Sequence, residues 1–212
     1  MLNIRTYPLG PLQTNCYIVS NKNKECLVFD PGEEGSALSK EIKKLQLKPL
    51  AILLTHAHFD HIGAVELVRN QFNVPVYIHV AEKDWLEDPS KNGSARYNEL
   101  ENISGRAADH LLSKEGPLEI GTFTCEVLHT PGHSPGSLTY WFKDERFAIV
   151  GDTLFQGSVG RTDLPYGNEK ELMKSIHNKI LTLPDDTICY PGHGTYTTPE
   201  EEMNQNPFIN GF

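Results

Sequence analysis

A chain of 212 residues with 38% apolar and 22% charged side chains has a globular composition, which excludes a disordered or fibrous protein. Its 28 acidic against 19 basic side chains give a net charge of −9 with no stripe of lysine and arginine, so nucleic acid is not an expected partner. No window reaches about 18 apolar residues, and Met1 to Ser20 lack a leader's basic head and apolar stretch; no membrane span is expected, and the chain reads as soluble and cytoplasmic.

No linker interrupts the sequence, so residues 1–212 are expected to form a single domain. Cys16, Cys26, Cys125 and Cys189 lie far apart among apolar neighbours with no Cys-x-x-Cys pair, which predicts buried free thiols. Nothing specifies an oligomeric state.

In chain order, strands are expected at Ile4 to Tyr7, Asn15 to Ser20 and Glu25 to Asp30, separated by turn-rich segments. Leu38, Ile42 and Leu45 recur at helical spacing before Pro49, and Leu50 to Thr55 is an apolar strand. Ile62, Val65, Val68 and Phe72 give one helical face, followed by a strand at 75–78. From Glu82 to Lys114 the sequence is polar with scattered anchors, Trp85, Leu86, Tyr97, Leu100, Leu111 and Leu112, and reads as short helices and loops walling a site. Strands return at Phe123 to Leu128, Leu138 to Phe142 and Phe147 to Val150; Leu172, Ile176 and Ile180 mark a helix, and Thr187 to Tyr190 a last strand. The tail from Pro199 reads as one or two helical turns and a loop. The alternation is that of an α/β fold.

His56, His58, Asp60 and His61 fall within six residues, directly after an apolar strand. Neutral imidazole and carboxylate are the ligands that borderline divalent cations prefer, so this spacing points to metal. Positions 56 and 58 are expected on one side and 60 and 61 turned away, which makes two half-sites needing ligands from elsewhere.

One recurring pattern supplies them: an apolar strand ends in a turn that carries a ligand-type side chain. It delivers His56, then His133 after Thr130-Pro131-Gly132, then Asp152 after Gly151, then His193 after Pro191-Gly192. Glycine and proline allow the sharp turn, and sites in layered folds gather where strands end. Partitioned by position, His56, His58 and His133 would hold one ion, Asp60, His61 and His193 a second, and Asp152 would bridge them. Two divalent ions, zinc with iron or manganese as alternatives, would activate a shared water and polarise a substrate oxygen, which makes hydrolysis the expected reaction, with Asp60 and Asp152 in catalytic positions. His79, His110, His129 and His177 read as structural, and Asp185-Asp186 and Glu200-Glu201-Glu202 as solvated surface.

The run Thr-His-Ala-His-Phe-Asp-His with Pro-Gly-His, Gly-Asp and Pro-Gly-His in this order resembles the metallo-β-lactamase superfamily over nearly the whole chain. Within it, residues 150–155, 157–163 and Asn206-Pro207-Phe208 are similar to the short bacterial members of the hydroxyacylglutathione hydrolase (glyoxalase II)-like branch. The resemblance implies an αββα sandwich with a binuclear site at one edge and a small-molecule thioester substrate. A thiolate leaves with a pKa near 8.5 and needs little protonation, so no separate general acid is required. Long members of the branch carry a C-terminal helical domain that helps hold glutathione, whereas here 19 residues follow His193, and Asp163 and Thr195 stand where the long enzymes place tyrosines. Arg161 falls where the branch has a basic substrate contact and Tyr196 is a further candidate. The alternative is a mononuclear iron persulfide dioxygenase, which shares nearly the same motif and would use His56, His133 and Asp152. Lactonases and β-lactam hydrolases of the superfamily are favoured by no feature of the sequence, and metal storage alone needs no open binuclear site.

Overall fold

The strand-rich start forms a meander in which β1 (Asn3–Leu9), β2 (Thr14–Ser20) and β3 (Glu25–Phe29) pair antiparallel, with Tyr7 opposite Cys16 and Tyr17 opposite Phe29. The computed structural model describes residues 1–97 and 101–210, and contacts divide the chain into two units, Met1–Ser113 and Lys114–Phe212. Leu100 lies outside the described residues.

In the first unit the sheet continues through β4 (Lys48–Leu53), β5 (Val76–His79) and β6 (His110–Leu112), all parallel, in the order β1-β2-β3-β4-β5-β6. Parallel neighbours need crossovers, which the helices provide. Helix α1 (Gly35–Lys44) buries Leu38 and Ile42 and stops where Gln46 turns left-handed. The stripe expected from Ile62 to Phe72 is two helices, α2 (Phe59–Ile62) and α3 (Val65–Phe72), rather than one. They part because the chain presses there on the turn after β3: Ala64 N donates to Pro31 O at 2.9 Å, and a Cβ on Gly63 would stand 2.3 Å from Gly32 O. The polar stretch after β5 holds α4 (Pro89–Asn92) between two short 3₁₀ turns, as expected, with Trp85 and Leu86 buried and Tyr97 and Leu111 exposed. Its closing strand β6 is too short and too exposed to leave a periodic signal.

The second unit holds an antiparallel run, β7 (Gly116–Ile120), β8 (Phe123–His129), β9 (Leu138–Phe142) and β10 (Phe147–Gly151). A small hairpin follows, β11 (Leu154–Phe155) with β12 (Ser158–Val159). Helix α5 (Glu169–Ser175) then leads through a π turn at Ile176–Ile180 to β13 (Ile188–Pro191), which joins β10 in parallel, and α6 (Pro199–Gln205) comes last. Strand β7 leaves little signal because it is a short, half-exposed edge strand that opens on the turn residues Gly116 and Pro117. Asn168 caps α5 through Glu171 N at 3.1 Å, and Leu172, Ile176 and Ile180 all enter the core, each contributing about 2 kcal/mol of apolar burial. The approach is close enough to require Gly132, at φ 137°, where a Cβ would lie 2.2 Å from Leu172 N. Among the described residues no helix is long and apolar enough to cross a membrane. All four cysteines are free and buried.

Candidate metal centre

Each unit gathers its own donors. In the first, β4 ends three residues before His56, and His58 takes extended dihedrals (φ −67°, ψ 148°) as the residue before α2. The α2 turn begins at once, with His61 N donating to His58 O at 2.9 Å. It carries His61 back toward His56: their ring centroids are 4.1 Å apart, while His56 and His58 meet edge-on at 4.8 Å. A single helical turn thus sets the direction of His61 relative to His56 and His58. Donor atoms of His56 come within 4.8 Å of those of both His58 and His61.

The imidazoles are held by groups that the sequence reading passed over. Asp30, 1% exposed and at φ 46°, lies 3.0 Å from His61 Nδ1 and accepts from Thr55 N at 2.7 Å and Thr55 Oγ1 at 2.6 Å. With Nδ1–H facing a carboxylate, Nε2 of His61 is the atom that could hold a metal, and it lies 3.5 Å from Asp60 Oδ2. Thr14 Oγ1 donates to the same Asp60 oxygen at 2.9 Å, and fully buried Glu82 accepts from Ala57 N at 2.7 Å. A Cβ on Gly32 would stand 1.9 Å from Asp60 O, so the turn after β3 supports the motif by direct backbone contact. Asp30 follows an apolar strand just as Asp152 does, the signal by which it was findable. The wall expected from 82–114 borders this motif: the Trp85 ring is 5.7 Å from His58, and Tyr97 5.4 Å from Phe59.

In the second unit the donors come from three separate loops. Asp152 Oδ2 lies 3.5 Å from His133 Nε2 and 3.6 Å from His193 Nε2. His133 Nδ1 donates to Arg161 O at 2.8 Å, which again leaves Nε2 as the atom that could hold a metal. Gly160, just before that carbonyl, packs on Asp152 so closely that a Cβ would stand 1.9 Å from Asp152 O.

These separations suit a metal. Ligands about 2.1 Å from one tetrahedral ion stand about 3.4 Å apart, longer than a hydrogen bond and close to the 3.5 and 3.6 Å found for the three imidazole–carboxylate pairs. The donor set is also the nitrogen and oxygen mixture that zinc, iron and manganese accept.

Arg161 makes a bidentate pair with Asp163 at 2.8 and 2.7 Å, and the guanidinium holds the Asp163 carboxyl at about 2, below the usual carboxylate range. Tyr196 is exposed, its ring 6.1 Å from Tyr190. Other contacts engage three of the remaining histidines: His79 Nδ1 accepts from Ala81 N, His129 Nε2 meets Pro135 O, and exposed His110 stacks on Tyr77. His177 lies exposed on the π turn. Of the acidic runs, Asp185, Asp186, Glu200 and Glu201 are surface as expected, but Glu202 is not: it is 2% exposed because α6 turns it inward.

The family model described as the metallo-beta-lactamase superfamily matches residues 9–193. A probable metallo-hydrolase of Bacillus subtilis, YqgX, is 52% identical over 208 residues, 98% of each chain. The hydroxyacylglutathione hydrolase GloC of Haemophilus influenzae is 37% identical over 210 residues, 99% of each chain. Among solved structures, the BLEG-1 B3 metallo-beta-lactamase superposes with a TM-score of 0.96 at 54% identity, covering 99% of this chain and all of that one.

Proposed function

We propose that this chain, which belongs to the metallo-β-lactamase superfamily, is a thioesterase of the hydroxyacylglutathione hydrolase type. The fold is the metallo-β-lactamase fold, mixed α and β, and the protein is a metal-dependent hydrolase with a histidine and aspartate site. The observation that carries the proposal is the pair of donor clusters, each with imidazole Nε2 atoms facing a carboxylate at about 3.5 Å.

In this reading residues 1–212 work as one domain, since a single family model runs across both units. His56, His58 and His133 would hold one divalent ion, Asp60, His61 and His193 the other, with Asp152 shared. Bound there, the ions would supply an activated water and a Lewis acid for the thioester carbonyl. The chain's own groups fix the geometry: Asp30 and Arg161 O set the imidazole tautomers, and Asp60 and Asp152 would hold or pass on a proton of the water. The thiolate leaves without a general acid. Arg161 would exchange Asp163 for an acidic group of the thiol carrier, and Tyr196 is a further candidate for substrate contact. Four free cysteines fit a reducing, cytoplasmic setting.

A second reading, β-lactam hydrolysis, is favoured by the likeness to the BLEG-1 enzyme. It demands protonation of an amine leaving group, which thioester cleavage does not. The discriminating experiment is a substrate panel on protein of measured metal content: thioesters differing only in the thiol, a β-lactam set, and a thiol persulfide with oxygen uptake followed. Preferred turnover of glutathione thioesters supports the proposal. Dominant β-lactam turnover, or oxygen consumption with one iron per chain, overturns it.

A further inference from the structure

Glu202 is buried, yet among the described residues no lysine or arginine pairs with it. Its carboxylate is held by neutral donors: Gly157 N at 3.2 and 2.9 Å to its two oxygens, Thr197 Oγ1, and Asn206 Nδ2 at 2.6 Å. Asn206, wholly buried, donates also to Ser158 O at 3.0 Å. A desolvated carboxylate is a poor way to gain stability when an apolar side chain of similar size would fill the space. Its effect is to bind together two stretches of chain that are separate in sequence.

Both stretches lead to candidate ligands within the same unit. Gly157 lies in the turn of the β11–β12 hairpin and Ser158 begins β12, and the chain leaves the hairpin through Gly160, packed on Asp152, to Arg161, whose carbonyl holds His133 Nδ1. Thr197 forms a bridge with Cys189 of β13, and His193 lies between the two in sequence. Helix α6 thus fixes the supports of His133 and His193 from one point.

We infer that Glu202 and Asn206 are positioning residues for the metal-binding set His133, Asp152 and His193, setting the directions from which the two imidazoles approach Asp152; the inference rests on the metal reading above. Loss of a partner that orients a ligand lowers metal affinity about 10- to 100-fold.

The test uses metal-stripped full-length protein titrated with zinc against a chromophoric chelator, alongside urea unfolding of the same metal-free samples. Glu202→Gln and Asn206→Ala are expected to weaken zinc at one or both sites about 10- to 100-fold. Arg69→Met, which removes the ion pairs of a buried guanidinium to the half-exposed Glu66 and Asp109 in the other unit, is expected to lower urea stability with zinc affinity unchanged. Zinc affinities within about twofold of the wild type in both Glu202→Gln and Asn206→Ala, whatever their stability, overturn the inference. Should Glu202→Gln fail to fold, Thr197→Val, which removes one bond of the clamp, takes its place with the same readout. Wild-type protein that takes up no zinc, iron or manganese overturns the metal reading itself and the inference with it; a metal-loaded wild type with unaltered variants overturns the inference alone.

Discussion

The two units assemble their donors by opposite routes. In the first, four donors lie within six residues and side chains orient them, Asp30 on His61 and Glu82 on the backbone at Ala57. In the second, three donors come from three loops, and the nearest support is backbone, a carbonyl at Arg161 and bare Cα positions at Gly160 and Gly132. A compact motif leaves its neighbours room for side-chain support. Close main-chain approach at a glycine serves both units, Gly32 against Asp60 O and Gly160 against Asp152 O; they differ in what holds the imidazole, the Asp30 carboxylate on His61 and the Arg161 carbonyl on His133.

The largest effect that would sharpen this contrast is expected from Gly160→Ala. The added methyl meets Asp152 O at 1.9 Å, so urea unfolding should show a loss on the order of 3 kcal/mol with weakened metal binding. Unchanged stability would show that the backbone contact carries no weight. Next comes Asp30→Asn, in which asparagine tolerates the left-handed backbone but the charge facing His61 is gone. Metal affinity should fall about 10- to 100-fold, whereas Arg161→Ala, which keeps its carbonyl, should leave affinity unchanged and raise KM only for thioesters with an anionic thiol carrier. Equal losses in the two variants would erase the distinction between side-chain and backbone support.

A smaller effect concerns the exposed pair in the second unit. The Asp163 carboxyl is lowered to about 2, so its stabilisation is complete above the unfolded value near 4 and fades as pH falls toward 2. Carboxyl NMR should give a midpoint near 2, rising toward 4 in Arg161→Ala; a midpoint already near 4 in the wild type would show that the pair does not persist. Least affected by the contrast are the thiols, two in each unit. Burial pushes Cys26, Cys125 and Cys189 up to about 12 and Cys16 well above its ordinary value, so a disulfide reagent at pH 8 should find no reactive thiol until the chain is unfolded.

How far the sequence revealed these features follows from the same contrast. The ligand motif after β4 was legible because metal chemistry concentrates rare residue types at fixed spacing, and the later ligands because each follows an apolar strand and a turn. The strands of both sheet interiors were legible by their apolar runs, while β6 and β7, at sheet edges and half exposed, were not. The break between α2 and α3 was hidden because its cause, the turn at Pro31 and Gly32, lies thirty residues away. Asp30 carried the same strand-end signal as Asp152, whereas Glu202 escaped for a related reason: a carboxylate within an acidic helical run looks the same in sequence whether it faces water or a buried donor, and only the fold decides which.

The most direct test titrates metal-free protein with zinc, iron or manganese while hydrolysis of a glutathione thioester is followed. The account predicts activity that rises to a plateau at two ions per chain, vanishes with chelator, and is absent from Asp152→Ala. A plateau at one ion, or full thioester turnover by Asp152→Ala, would contradict it.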